Sequence, residues 1–178
     1  VVEAIELPGE DCLEIFQAHW FTGAANRVAM LGDARAGVDP GVLTIADAVA
    51  HMSAREFFVF QQRRAAFGSA MDSLLSRWDA VWSPTVSILP FEAGAEVPAG
   101  SGLSRWTQWA GFSYPLNLSQ QPACSVPCAW VHRGPQMRLP VGLQIIGARG
   151  ADDRVLSIAQ SLERMEYEHF FLTDEQQN

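Results

Sequence analysis

Four serines stand where a nucleophile could act: Ser83, Ser113, Ser119 and Ser125 all lie in or beside short apolar runs broken by proline. A serine attacks a carbonyl carbon only when a base takes its proton and donors hold the oxyanion that forms. No neighbour in sequence supplies either, and the G-x-S-x-G elbow of the α/β-hydrolases is absent. Cys124 and Cys128 are spaced to share one side of a strand, but Pro127 disturbs the spacing and no partner base is recognisable. They read as structural thiols. The histidines, His19, His51, His132 and His169, sit in unrelated contexts. None makes an H-E-x-x-H pair or joins a cysteine cluster, so no metal site is expected. Gly142 and Gly147 flank an apolar run without a G-x-G-x-x-G pattern, which leaves no dinucleotide site. No cofactor is expected. The rings of Trp82, Trp106, Trp109, Phe112 and Tyr114 either line an apolar pocket or seal the edge of a core, and spacing alone does not choose between these.

Composition narrows the classes further. The chain has 178 residues, enough for one domain with a real core. Its net charge of −8 and pI of about 4.9 do not suit a surface that tracks phosphates, and only Arg63-Arg64 are adjacent bases, so no direct nucleic-acid contact is expected. No uncharged apolar run reaches the roughly 20 residues a membrane span requires, so no membrane partner is expected. Three cysteines without a secretory leader read as reduced thiols in a cytoplasmic protein. All twelve basic residues are arginines. Without a lysine, the chain cannot by itself complete a Schiff base, a P-loop or a lysine-based proton relay. It opens on Val1, within what reads as a strand, which suggests a processed product or a piece of a longer polypeptide.

The elements that must position these residues alternate in type. Residues 1–7 are β-rich and stop at Pro8-Gly9. Residues 10–30 show helical spacing, with Leu13, Phe16, Trp20, Ala24 and Val28 on one apolar face. Thr44-x-x-Asp47 resembles a capping box, which predicts a helix from there to about Trp78 with Ile45, Val49, Met52, Phe60, Phe67, Met71 and Leu74 on one side. Gly68 is its weakest point. A strand is expected over 79–86, a small-residue loop over 92–104, and a short helix or pocket wall over 106–112. Strands over 123–131 and 141–146 enclose a hairpin-type excursion at 132–138. Asp152-Asp153 open a last helix with Val155, Leu156, Ala159, Leu162 and Met165 buried, and the polar tail 173–178 is expected to fray. Interleaved strands and helices make the class α/β, with no visible repeat.

Taken in order, the runs Asp79-Ala-Val-Trp-Ser-Pro-Thr85, Pro115-Leu-Asn-Leu118, Gln121-Pro-Ala-Cys-Ser-Val-Pro-Cys128 and Leu139-Pro-Val-Gly-Leu-Gln-Ile-Ile-Gly147 resemble the C-terminal part of the amidase signature family. Arg64 stands where that family carries a helix arginine, and the likeness extends into the helix after Asp152. It covers residues 1–172 as the C-terminal portion of one domain. The resemblance implies part of an α/β/α fold, a mixed sheet flanked by helices, incomplete without its N-terminal half. It implies a hydrolase of carboxamide bonds in which a serine, a second serine held by a cis peptide and a lysine act through an acyl-enzyme. That apparatus belongs to the N-terminal half of the family's fold, so no catalytic residue is expected here and the chain alone is expected to be inactive. Thr85, Trp109 and Phe112 are the expected substrate-lining residues. The implied partners are the N-terminal half and a small-molecule amide. In the amidotransferase branch, charged positions that hold glutamine align near Asp39-Pro40 and at Ala110, so an apolar or aromatic amide is the expected class. Two further readings are a non-catalytic binding or regulatory module on the same scaffold and a separate subunit that completes the enzyme. A sheet cut partway should expose an edge and an apolar face, which predicts self-association.

Overall fold

The structure is a computed structural model that describes residues 2–8, 12–132 and 138–171, with side chains up to residue 165. The expected tail at 173–178 and most of the excursion at 132–138 lie outside the described residues. Helices and a sheet alternate, as an α/β class requires.

Among the described residues the sheet has three strands: β1 (Val81–Pro84), β2 (Ala123–His132) and β3 (Arg138–Ile146), in the order β1-β3-β2. Both pairings are antiparallel, with Ser83 opposite Gln144 and Gln144 opposite Ser125. None of the described pairings is parallel. The register slips between Pro127 and Ala129, because proline has no N–H for the ladder. Cys124 lies opposite Ile145, and Cys128 sits at the bulge itself, between Pro127 and Ala129.

Strand alternation gives the sheet two unlike faces. Leu143 and Ile145 of β3, with Cys124 and Val126 of β2, point toward helix α5 (Asp152–Phe171) and pack on Val155, Ala159 and Leu162. Gly147 turns the chain into that helix at close range: a Cβ there would lie 2.5 Å from Val155 Cγ2. On the opposite face, Val81 and Ile146 join the larger core with helices α1 (Cys12–Ala29), α3 (Ala54–Leu75) and α4 (Tyr114–Ser119). Its centre is Ile15, Met71, Leu75 and Ile146, all within 2% of full burial.

Several expectations are corrected. The helix expected from Thr44 to Trp78 is two helices. The first, α2 (Pro40–Ala48), begins earlier: Asp39 is its N-cap, its carboxylate accepting from Gly41 N at 2.7 Å, with Pro40 in the first turn. Thr44 lies inside α2 and its hydroxyl donates back to Pro40 O at 2.9 Å. The chain then breaks, and the capping box is Ser53-x-x-Glu56, with Ser53 N donating to Glu56 Oε2 and Glu56 N donating to Ser53 Oγ. Gly68 does not interrupt α3. Residues 2–8 form no ladder despite their β-rich composition, since propensity without a partner strand makes no sheet.

Two apolar faces are also rotated from expectation. In α1 the buried residues are Ile15, Phe16, Ala18, Phe21 and Val28, whereas Trp20 is 52% exposed. In α5, Leu156 and Met165 lie on the solvent side. The face expected for α3 is the one observed: Phe67, Met71 and Leu74 are buried, with Phe60 and Trp78 packed against them.

Candidate functional site

The larger core fills only one end of the sheet face on which Val81 and Ile146 lie. One step further along the strands that face becomes polar. Ser83, Gln144 and Ser125 form a row across all three strands, and Thr85 and Gly142 follow behind it. Thr85 leaves β1 with its N–H still bonded to Gly142 O at 3.0 Å. Its hydroxyl shares a 2.6 Å hydrogen bond with Ser125 Oγ. Only glycine fits beneath that bond, because a Cβ on residue 142 would lie 2.5 Å from Thr85 Oγ1 and 2.7 Å from Ser125 Oγ.

Gln144 is the pivot of the row. Buried at 8% exposure in an otherwise apolar run, its Nε2 donates to Ser83 Oγ at 3.0 Å and to Phe112 O at 2.9 Å. The second bond ties the sheet to the segment before α4, because the side chain crosses to a backbone carbonyl 32 residues away in sequence. A buried amide needs such partners, and removing one costs roughly 1–3 kcal/mol.

The same segment is fixed from its other end. Helix α4 ends at Gln120, whose φ of 62° is left-handed, and its last carbonyls are capped by arginines from two other elements. Arg64 of α3 donates through Nε to Leu118 O at 3.0 Å, and Arg149 donates through Nη2 to Ser119 O at 2.9 Å. Cations at a helix C-terminus match the dipole there. Asp72 of α3 holds both Arg149, at 3.2 Å, and Gln121 Nε2, at 2.8 Å. This gives Arg64 a clear structural task.

Trp109 and Phe112 lie in the segment that leads into α4. Trp106 and Trp109 belong to a 3-10 turn that begins at Trp106 and is pinned by Thr107, which is fully buried and accepts from Gln17 Nε2 at 3.1 Å. Trp109 Nε1 donates to Glu96 O at 3.1 Å, and its carbonyl accepts from Ser87 Oγ at 2.9 Å. A chain of ring contacts runs from Tyr114 through Phe16 and Trp106 to Trp109 and Phe91, with centroids 5.1 to 6.4 Å apart. Tyr114 and Trp106 pack against the core, and Trp82 is half exposed at the edge of the sheet. Tyr114 and Trp106 therefore follow the core-sealing reading.

Of the expected lining residues, Thr85 and the Phe112 carbonyl are joined to the polar row by hydrogen bonds, whereas the Trp109 carbonyl bonds Ser87, two residues beyond Thr85. Of the candidate serines, Ser83 and Ser125 lie in the row. Ser113 lines an adjoining cleft of about 480 Å³ with Asn117, Gln121, Gln144 and Asp152. Ser119 is buried against α3, with no partner for its hydroxyl. No group of three metal-ligating side chains exists among the described residues, and no described helix is long and apolar enough to cross a membrane. Sequence reasoning missed Gln144, Gln121, Asp72 and Arg149. For Gln144 a signal existed: it is the one polar side chain in Val-Gly-Leu-Gln-Ile-Ile.

Comparisons with known proteins converge on one family. The amidase family model matches residues 38–156. The A subunit of the glutamyl-tRNA(Gln) amidotransferase of Thermotoga maritima is 34% identical over 101 residues, 57% of this chain and 19% of that protein. Its counterpart from Symbiobacterium thermophilum is 32% identical over 111 residues, 61% of this chain and 21% of that protein. Among solved structures, an amidase superposes with a TM-score of 0.77 and 26% identity over 90% of this chain and 37% of its own. A bacterial aryl acylamidase of the amidase signature family gives 0.72 and 24%, over 90% of this chain and 35% of its own. The chain therefore spans well under half the length of the relatives it matches, and its fold is a part of theirs.

Proposed function

The chain belongs to the amidase family, and from that premise we propose that it forms the substrate-pocket wall of an amidase-type hydrolase acting on carboxamide C–N bonds. The observation that carries this reading is the polar row Ser83-Gln144-Ser125. It lies on a sheet face that is apolar and covered at one end and hydrogen-bonded but open at the other. Thr85, Trp109 and Phe112 line the open end. The aromatic side of that wall suits an apolar or aromatic amide, and Ala110 brings no charge toward it.

The bond-breaking apparatus comes from another part of the fold. In the serine–cis-serine–lysine scheme a lysine serves the proton relay, and this chain has none. The wall holds the amide while the acyl-enzyme forms on a serine of the complementary segment. Orientation of this kind is itself a large share of catalysis, since a misplaced carbonyl loses the oxyanion donors.

The purified 178-residue chain is accordingly expected to hydrolyse neither aryl nor alkyl amides. Turnover that is abolished by a serine-directed fluorophosphonate would overturn the assignment. The pocket itself is read in an assembly of this chain with a segment carrying the catalytic triad. There Trp109→Ala should raise KM for an aryl amide about tenfold, with a smaller change for acetamide, equivalent to losing one well-packed ring contact.

A further inference from the structure

Strand β1 closes one side of the sheet, and a groove of about 480 Å³ lies beside it. Thr85 N–H bonds to Gly142 O in continuation of the β1–β3 register, and bonding residues alternate along an antiparallel pair. Val81 and Ser83 therefore turn their backbone groups toward β3. Trp82 turns its N–H and C=O the other way, to an edge where no described strand meets them. Pro84 follows on that edge with no N–H to offer. The groove is lined by residues 78–82 on one side and residues 2–5 on the other, with Ile158 of α5. Val81 belongs to the larger core, whereas Ala80 and Ile158 pack on the α5 side. A groove that touches successive residues of both faces follows the edge of the sheet rather than either face.

An edge that natively meets water is blunted by charged side chains along its length. The free edge of β2 is of that kind, since its groove against α5 is lined by Asp153, Ser157, Gln160 and Glu163. The β1 groove is apolar along its middle and exposes Val2 and Trp82. Its charges sit at Glu3 and Asp79, both exposed, and Asp79 meets only Arg154, at 3.8 Å. Two copies of a chain with net charge −8 would bring the same acidic groups together, which disfavours a second copy as the occupant. A segment with basic flanks is complementary instead. This chain matches 37% of the solved amidase it superposes on, so most of that fold is built from other segments.

We propose that the β1 edge receives an added strand: a short apolar segment with basic flanks, from the part of the amidase fold outside this chain, seated between β1 and residues 2–5. Trp82 N–H and C=O bond its backbone, which gives affinity without reading sequence. Val81 on one face and Trp82 with Ile158 on the other select apolar side chains of both phases, the pattern of a strand buried on both sides. Pro84 ends the pairing, and Glu3 and Asp79 meet the basic flanks. The inference rests on the family assignment and not on the pocket-wall reading, and its test reads no hydrolysis.

The test titrates the ¹⁵N-labelled chain with the peptide acetyl-Arg-Val-Ile-Val-Thr-Arg-amide and follows backbone signals and hydrogen exchange by NMR. The expected result is saturable shifts at Val81, Trp82 and Ile5 with a Kd of about 0.1–1 mM. Exchange at the Trp82 amide should slow at least tenfold at saturation, while the Val81 and Ser83 amides, which face β3, change little. Two analogues N-methylated on alternate residues, in the two possible phases, remove the backbone donors of one peptide edge each, and at least one should bind tenfold more weakly. Trp82→Pro, which deletes the outward N–H, should weaken the peptide at least tenfold, and Trp82→Phe, which keeps it, less than threefold. If Trp82→Pro does not fold, the N-methylated pair decides alone. Absence of saturable shifts, full affinity of both analogues, or an unchanged Trp82 exchange rate in the bound chain would each overturn the proposal. So would Trp82 protection that grows with chain concentration in the absence of peptide, because a second copy would then occupy the edge.

Discussion

On one face of the sheet, Val126, Leu143 and Ile145 meet Val155 and Ala159 of α5, and the contact is apolar along its length. On the other, Val81 and Ile146 reach a core at one end, while Ser83, Gln144 and Ser125 occupy the next position along the same strands. Both faces belong to the same three strands and share one backbone ladder, so backbone bonding does not distinguish them. The difference is in what each face is held by. The α5 face is held by burial, worth about 25 cal/mol per Å² of apolar surface removed from water. The row is held by directed bonds, each contributing roughly 0.5–1.5 kcal/mol net, which fix positions more than they add stability. A scaffold that presents polar groups in fixed positions needs both: one face to supply stability and another to supply geometry.

Unequal substitution costs would sharpen this contrast. Ile145 is fully buried on the central strand, and Ile145→Ala should destabilise the chain by about 4 kcal/mol through lost burial and the cavity left behind. Chemical denaturation would measure it, and a loss below about 1.5 kcal/mol would mean the α5 face is not the stabilising one. Gly142→Ala should cost less, about 1–3 kcal/mol, because the new methyl must separate Thr85 from Ser125 while leaving the apolar contacts in place. Its more specific effect is on position: the Thr85 and Ser125 signals should move in an NMR spectrum while those of Val155 and Ala159 stay. If instead the α5 signals move as far as those of the row, the two faces are mechanically one.

How much of this was readable beforehand follows the same division. Helix α3 and the β2–β3 hairpin were legible because their periodicity is strong and their partners lie within the chain. The gap between α2 and α3 was not, because Thr44-x-x-Asp47 and Ser53-x-x-Glu56 both carry capping residues, and only the Asp39-Pro40 cap upstream shows which one starts a helix. Trp20, Leu156 and Met165 have the spacing of a buried stripe yet face solvent. Hydrophobic spacing gives the width of an apolar face but not its direction, and only packing selects between neighbouring rotations. The polar row was half legible. Its serines and Thr85 stood out as rim residues, but that Ser83, Gln144 and Ser125 share one line depends on register, which local sequence does not encode. The Asp72-Gln121-Arg149 group joins residues far apart in the chain and left no local signal at all.

The smallest expected effect compares Cys124 with its neighbour Ser125. Adjacent residues on a strand face opposite ways, so Ser125 lies in the row and Cys124 against α5. The thiol of Cys124 is raised above its ordinary value, first by burial and then by the Glu163 carboxylate on α5. Both causes disfavour the thiolate, as an apolar, helix-covered face should. The sign of the linkage follows from the direction. Keeping this thiol protonated contributes stability that is fully present below the unfolded-state value and is lost as pH rises through the higher folded-state value. Iodoacetamide labelling with site-resolved mass spectrometry should therefore show Cys124 reacting with a pH midpoint above that of the same residue in urea-unfolded chain. Glu163→Gln should bring the midpoint only part of the way back, because burial is the larger cause. Complete return in that variant would mean charge rather than a dry face controls the thiol, and the contrast between the two sides of the sheet would lose its chemical marker.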